Sequence, residues 1–458
     1  MLGLNIVVII LNTLWFVFIW QNYYSSSVYY IPFYGRGNYA IYGIFAVVYY
    51  SFAKLYGGFG LKNTRATEIA YSHTIAIVMT GITMYFIIWL LTRYMPAILP
   101  IVYGMALWIV TAVAWAKPAN LMMRRIYPPT PTVIVYDNPA AFKKGMYITK
   151  VADWRYNVVG TIDVKEGDDK VFAFIHEKKA EAVMLCGIHS SPRNTILKYC
   201  IAEGMEVYIR PNIGDYIVNS SEQLVLANLP IMLCNRSSQA PLYAFVKRAF
   251  DIFFALVILV IFSPVLLIVG AIIKMYDGGP ALYSQDRLTK NGKIFKIYKF
   301  RSMRVDAEKD GVARLAQQDD DRITPIGKFI RATRIDELPQ MINILRGEMS
   351  VVGPRPERPE ITAQYERNMP EFSLRLQVKA GLTGYAQVHG RYNTSPYDKL
   401  QMDLMYIANQ SIATDFKIIL ETVKVVFMPE STEGIAEGET TAADQDVKTD
   451  SETEKKNS

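Results

Sequence analysis

The acidic pair Asp336-Glu337 is where chemistry can be written most directly from residue type and spacing. Arg331 and Arg334 precede it. Ser350-Val351-Val352-Gly353-Pro354-Arg355-Pro356 follows as an apolar strand ending in a rigid, proline-bounded turn that would hold Arg355 at a fixed angle. Adjacent carboxylates with fixed arginines are the parts needed to hold Mg²⁺ and a pyrophosphate together. A carboxylate at a helix start can also act as a nucleophile on phosphorus, with the acyl phosphate stabilised by the helix amides. The plainer reading is structural. Asp336 stands where a helix would begin, Pro339 suits a first turn, and 341–345 continues apolar before Gly347, so the aspartate could simply cap that helix.

Further cations lie upstream. Asn291-Gly292, between Tyr283-Ser284-Gln285-Asp286-Arg287 and the run 293–301, is a strong hairpin signal. On the second arm Lys299 and Arg301 are candidate ligands for phosphate oxygens, with a solvated strand face as the alternative. The stretch 326–334 reads as an amphipathic helical turn or two leading into the acidic pair.

The element that must position these groups is the segment 247–274. Lys247 and Arg248 stand at its mouth, Asp251 just inside, and no charge falls between Ile252 and Ile273. A helix of that length could cross a bilayer core of about 30 Å. Ser263-Pro264 sits in its middle, where a proline predicts a kink or break. Basic residues at both ends, with Lys274 closing the run, fit a segment that enters and leaves on one face, Lys247 and Arg248 acting as interface anchors; a spanning helix with a tolerated proline is the alternative.

Four apolar runs precede it, at about 2–20, 40–55, 70–91 and 97–116, each roughly long enough to span. Lys54, Lys62 and Arg65 lie at or after the end of the second and Lys117, Arg124 and Arg125 after the fourth, which predicts both chain ends of this bundle on the cytoplasmic side. The first run lacks the basic leader and small-residue cleavage site of a signal peptide. After Pro128, Pro129 and Pro131, buried strands are expected at 132–136, 156–164, 182–187 and 205–209. Helix-like stretches at 138–144, Ala180-Glu181 and 191–203 alternate with them, a small Rossmann-like α/β module with a parallel sheet. A dinucleotide site would need glycines after the first strand; the chain has Tyr136-Asp137-Asn138-Pro139-Ala140, and Asp137 would repel phosphate.

Composition agrees with a membrane-bound chain. Its 458 residues are 51% hydrophobic, the mean hydropathy is +0.13, and the formal charge is +7. The segment after Met428 is acidic and poor in large apolar residues, so it is expected to be disordered, leaving a basic body suited to phosphates or anionic lipid. Cys186, Cys200 and Cys234 have no paired ligand spacing, and neither a disulfide framework nor a zinc site is expected. The expected domains are 1–127 (four transmembrane helices), 128–240 (α/β module), 241–428 (a compact α/β domain with the 247–274 segment) and 429–458 (tail).

The stretch 247–427 resembles the catalytic domain of the bacterial sugar transferases, monotopic polyprenyl-phosphate glycosyl-1-phosphate transferases. The matching motifs are Lys247-Arg248-Ala249-Phe250-Asp251, Ser263-Pro264, Gly279-Pro280-Ala281-Leu282-Tyr283-Ser284-Gln285, Lys299-Phe300-Arg301-Ser302-Met303, Asp336-Glu337-Leu338-Pro339-Gln340, Val352-Gly353-Pro354-Arg355-Pro356 and Gly381-Leu382-Thr383-Gly384. With four preceding helices and an α/β module, the whole chain resembles the large members, which start capsule, O-antigen or exopolysaccharide assembly.

The resemblance implies that Asp336 attacks the β-phosphate of a UDP-sugar, that UMP leaves, and that polyprenyl phosphate takes the sugar 1-phosphate from the aspartate. It makes Glu337 the second member of a catalytic dyad requiring Mg²⁺, places Arg331 and Arg355 at the phosphate site, and makes the 247–274 segment a re-entrant helix broken at Ser263-Pro264. Because UDP-sugars are cytoplasmic, a fifth full crossing would put the dyad on the wrong side of the inner membrane. Helix-like stretches at 397–407 and 416–427 are expected either in the headgroup plane or packed on the core. A homodimer is among the expected partners; nucleic acid is not. Two other classes stay open: a membrane-bound nucleotide-sugar epimerase or dehydrogenase, and a non-enzymatic scaffold for polysaccharide assembly. The sugar itself is not legible.

Overall fold

The computed structural model describes residues 2–28, 36–62, 64–92, 94–234, 240–304, 322–390 and 394–426. The acidic tail expected at 429–458 lies outside the described residues. The chain forms two compact units, Met1–Arg210 and Pro211–Ser458.

The first unit opens with four helices: α1 (Leu2–Ile19), α2 (Arg36–Leu55), α3 (Ala66–Leu91) and α4 (Leu99–Ile126). α1 packs on α2 and α4, and α3 on α2 and α4. Phe16 stacks on Phe45 with centroids 4.4 Å apart, and Trp108 lies 5.0 Å from Phe45, so aromatic packing joins three of the helices. Among the described residues four helices are long and apolar enough to cross a membrane: Gly3–Ser27, Ala66–Leu91, Leu99–Ile126 and Pro241–Tyr276. α2, expected as a span, is helical but less apolar, since Arg36, Lys54 and four tyrosines interrupt its face.

A four-stranded sheet follows in the order β2-β1-β3-β4, all parallel, from β1 (Thr130–Tyr136), β2 (Tyr156–Asp163), β3 (Ala182–Cys186) and β4 (Glu206–Ile209). Helices α5 (Pro139–Val151), α6 (Asp168–Glu177) and α7 (Ser190–Ala202) connect the strands. Val133 and Val135 enter one core and Ile134 another, because a central parallel strand is covered on both faces. The helix expected at Ala180-Glu181 is not there. α6 ends earlier, Lys179 has a positive φ of 48°, and the Glu181 amide donates to Pro131 O at 3.0 Å, already joining the sheet.

The second unit begins ahead of the boundary expected at 240/241. Helix α8 (Ile213–Asn219) supplies Ile213 and Tyr216 to the apolar core of that unit, and its hairpin is β5 (Glu222–Leu226) with β6 (Leu229–Leu233). Next comes α9 (Pro241–Asp277), a single helix of 37 residues. The rest of the chain covers only 11% of its most apolar window, so most of that surface is shaped for an apolar environment other than protein. The helix continues through Ser263-Pro264, so the expected break is not an interruption. Pro264 has no N–H for the carbonyl one turn back, that of Val260, and the Ser263 hydroxyl donates to that oxygen instead at 2.8 Å.

Beyond α9, β7 (Leu282–Leu288) and β8 (Ile294–Phe300) pair antiparallel, with Asn291 at φ 61° in the turn, as Asn-Gly predicts. Helices α10 (Pro325–Ala332) and α11 (Gln340–Arg346) lead to β9 (Met349–Val352). After α12 (Pro359–Asn368), β10 (Ala380–Thr383) runs parallel to β9. α13 (Tyr385–His389), α14 (Pro396–Ala408) and α15 (Ile412–Val426) complete the unit. Leu400, Leu404 and Tyr406 of α14 and Ile418 of α15 are buried in the same core as β9, so these helices pack on the domain.

Candidate active site

Asp336 and Glu337 sit in a single tight turn, Ile335–Glu337, between α10 and α11. Arg334, just before it, is in the left-handed region at φ 57°, a conformation that costs a non-glycine residue about 1 kcal/mol or more and is common where a site over-determines the backbone. Pro339 occupies the cap position of α11, which has no side-chain cap bond, so Asp336 is not the helix cap that the plainer reading would make it.

The two carboxylates have opposite environments. Asp336 is buried, and among the described residues its Oδ1 has no hydrogen-bond partner. Burial, and then the charge of Glu337, push its pKa above the ordinary carboxylate range against the opposing pull of Lys299, Arg331 and Arg334. Burial would also raise Glu337, but Lys299, Arg355 and Arg334 outweigh it and hold that carboxyl well below its usual range. Lys299 Nζ lies 2.9 Å from Glu337 Oε1 and Arg355 Nη2 3.6 Å from the same oxygen. One acid is thus kept as a firm anion by its partners, and the other is left poorly solvated beside it.

Three elements converge to do this. β8 supplies Lys299, the 335–337 turn the acids, and the turn after β9 Arg355. A residue missed in the sequence fixes the first of them. Asn343, fully buried on α11, accepts from Tyr298 N at 3.1 Å and donates to Lys296 O at 2.7 Å, so it binds β8 on both sides of Ile297, just ahead of Lys299. Its signal was an amide inside the apolar run Met341-Ile342-Asn343-Ile344-Leu345. The Arg355 turn can approach β10 because it starts with glycine: a Cβ on Gly353 would come within 2.3 Å of Lys379 O.

Arg331 acts on Asp336 through its charge. Arg301, also expected at the phosphates, is buried with its guanidinium against Gly279, where an added Cβ would meet Nη1 at 2.0 Å, and its amide donates to Ala281 O. Lys247 and Arg248, expected as headgroup anchors, are corrected by the structure. Lys247 is buried, with Nζ 2.7 Å from Asp415 Oδ2 and 3.3 Å from Tyr406 Oη. Arg248 donates to Ile344 O and Leu345 O at the end of α11, and Asp251 accepts from Ser350 Oγ and Val351 N on β9. These positions satisfy buried groups of the domain instead of facing lipid, and they bolt the apolar helix to the elements that carry the site.

Among the described residues no group of three or more His, Cys, Asp or Glu side chains gathers to hold a metal. Two carboxylates do suit Mg²⁺, which keeps several waters and takes substrate phosphates as ligands, and the partnerless Oδ1 of Asp336 is a hard oxygen of the right kind.

Residues 242–429 match the family model described as bacterial sugar transferase. A putative undecaprenyl-phosphate N-acetylgalactosaminyl 1-phosphate transferase of Bacillus subtilis (strain 168) is 50% identical over 140 residues, 31% of this chain and 78% of that protein. The exopolysaccharide production protein PSS of Rhizobium leguminosarum bv. phaseoli is 44% identical over 188 residues, 39% and 92%. A UDP-N-acetylgalactosamine-undecaprenyl-phosphate N-acetylgalactosaminephosphotransferase of Aeromonas hydrophila is 41% identical over 190 residues, 41% of this chain and 45% of that protein. The chain therefore spans less than half the length of relatives such as the last, and the likeness lies in the second unit.

Proposed function

The chain belongs to the bacterial sugar transferase family, and from that premise we propose that it moves a sugar 1-phosphate from a UDP-sugar to polyprenyl phosphate, opening the assembly of a surface polysaccharide. The observation that carries this reading is the contrast within the acidic pair: Glu337 already paired with Lys299 and Arg355, Asp336 buried beside it with an unpartnered oxygen. A carboxylate oxygen without a hydrogen bond is a better nucleophile than a solvated one, and the cations around it suit the charge of a pyrophosphate.

In this mechanism an oxygen of Asp336 forms a bond to the β-phosphorus of the UDP-sugar while the bond from that phosphorus to the bridging oxygen breaks. UMP leaves with the oxygen and its electron pair. An oxygen of polyprenyl phosphate then attacks the phosphorus of the acyl phosphate, the bond to Asp336 breaks, and the carboxylate is restored. Glu337 keeps Lys299 and Arg355 in place, and those two with Arg331 offset phosphate charge. Mg²⁺, held by Asp336 and Glu337 together with substrate phosphates, would supply further charge neutralisation when bound.

The membrane part of the proposal is that α1–α4 anchor the chain in the inner membrane and that α9 enters and leaves on the cytoplasmic face, bending at Pro264. Both donor and lipid acceptor would then reach one surface. The missing glycines after β1 and the pairing of Asp137 with Lys165 at 3.3 Å leave the dehydrogenase alternative without a pyrophosphate cradle. The test is UMP release from a panel of UDP-sugars with Mg²⁺ and polyprenyl phosphate, wild type beside Asp336→Asn. UMP from wild type alone is expected; normal release by the Asn variant removes Asp336 as nucleophile.

A further inference from the structure

Four consecutive carbonyl oxygens in Pro354-Arg355-Pro356-Glu357 each accept a hydrogen bond, from donors in three parts of the fold: β10, the 370–377 segment and the end of β7. Gly381 N donates to Pro354 O at 2.9 Å, Arg375 Nη2 to Arg355 O at 3.0 Å, Arg287 Nη1 to Pro356 O at 3.0 Å, and Leu288 N to Glu357 O at 3.0 Å. Turns on a protein surface usually leave such groups to water. Here the backbone around Arg355 is held at every step.

Two of the four donors are guanidinium groups, and both are themselves braced. Arg375 is buried; the same Nη2 lies 2.8 Å from Asp403 Oδ2, in a carboxylate 1% exposed, and its Nη1 is 3.6 Å from Glu357 Oε1. Arg287 Nη2 donates to Gln285 Oε1 at 2.7 Å. Burying such a pair is weak evidence for stability, because desolvation offsets much of the attraction. What a planar, two-edged guanidinium adds is direction. Direction is what Arg355 needs, since its own side chain is 44% exposed and its 3.6 Å contact with Glu337 is too long to set its place.

We infer that Arg375, oriented by Asp403, and Arg287 are positioning residues that aim Arg355 at Glu337 and at the pyrophosphate of the donor. They act through the backbone of the turn and touch none of the reacting atoms. The kinetic side of this inference rests on the transferase reading; the structural side does not.

The experiment pairs kinetics with hydrogen exchange on the full chain in lipid nanodiscs. Arg375→Gln, Asp403→Asn and Arg287→Gln are made in wild type and in an Arg355→Ala background, and UMP release is measured per folded enzyme. A misplacement near 1 Å can cost about 10²-fold, so Arg375→Gln is expected to lower kcat by about 10- to 100-fold and to add less than about 3-fold once Arg355 is gone. Full multiplication of the two losses, or an unchanged kcat per folded molecule, overturns the inference. Should one variant fail to fold, the other two carry the same cycle. If wild type releases no UMP from any UDP-sugar, the transferase reading fails and exchange decides the clamp. Faster exchange of the Arg355, Glu357 and Arg358 amides in Arg375→Gln, with α14 unchanged, supports it; unchanged exchange there overturns it.

Discussion

The molecule ends two buried parallel strands in charged turns, and it treats the charges differently. After β1, Asp137 is answered on the spot: Lys165 lies 3.3 Å from its carboxylate and donates to its carbonyl at 2.8 Å, and Asn138 caps α5 by accepting from Ala141 N. After β9, Arg355 is only loosely answered by Glu337, and Asp336 keeps an oxygen with no hydrogen-bond partner among the described residues. The first turn answers its charged group from within the module. The second holds its backbone rigid and leaves its charge unspent, which is how sites are told from scaffolding.

The sharpest way to break this comparison is at Asp336. Asp336→Asn is expected to lower UMP release by about 10⁴-fold and, unlike most substitutions, to stabilise the fold by on the order of 1 kcal/mol, read as a higher Tm. The sign follows from its pKa. A carboxyl raised in the folded state contributes stability fully below the unfolded value and loses it as pH rises through the folded value. The advantage of the Asn variant should therefore be largest near neutrality and vanish in acid. Wild-type activity should fall on acidification at a higher pH than an ordinary carboxylate would give. A destabilised Asn variant would mean that Asp336 is a satisfied structural group like Asp137.

Lys247→Met tests the bolt between α9 and the domain. It leaves Asp415 buried without its cation and should destabilise the second unit by about 3–5 kcal/mol, measured by denaturation of the detergent-solubilised chain. Lys247→Met with Asp415→Leu should recover most of that loss; the double change being as damaging as the single would show that charge is not the issue. Lys299→Met should cost about 10²-fold in UMP release and also lower stability, since it removes the closest partner of the buried Glu337 and leaves only Arg355 at 3.6 Å. The smallest effect is expected at the contrasting turn. Lys165 is 69% exposed, so Asp137→Ala should shift stability by less than about 1 kcal/mol and leave UMP release intact. A large loss of activity there would erase the distinction between the two turns.

Much of this was legible in residue order. The Asn-Gly hairpin, the four parallel strands of the first unit, α10, the turn of Pro354-Arg355-Pro356 and the acidic pair all follow from local pattern: period, proline, glycine and charge spacing. Lys247 and Arg248 were misread for one reason. A cation beside an apolar run looks the same in sequence whether it meets a headgroup or a buried carboxylate, and Asp415, 168 positions away, decides for Lys247. Pro264 was similar: its lost hydrogen bond is visible in the sequence, but the Ser263 hydroxyl that replaces it is a matter of rotamer.

What the chain's order alone determined is the inventory: which short segments are strands or helices, which stretch is too apolar for water, and which residues can attack or neutralise a phosphate. Those properties depend on neighbours within a few residues, and the backbone's few allowed conformations make them readable. Only the tertiary structure decided which acid is ion-paired and which is buried beside it without such a partner, because that depends on Lys299 and Arg355 arriving from two other elements. Electrostatic energy varies with distance and burial, and neither is a property of one segment.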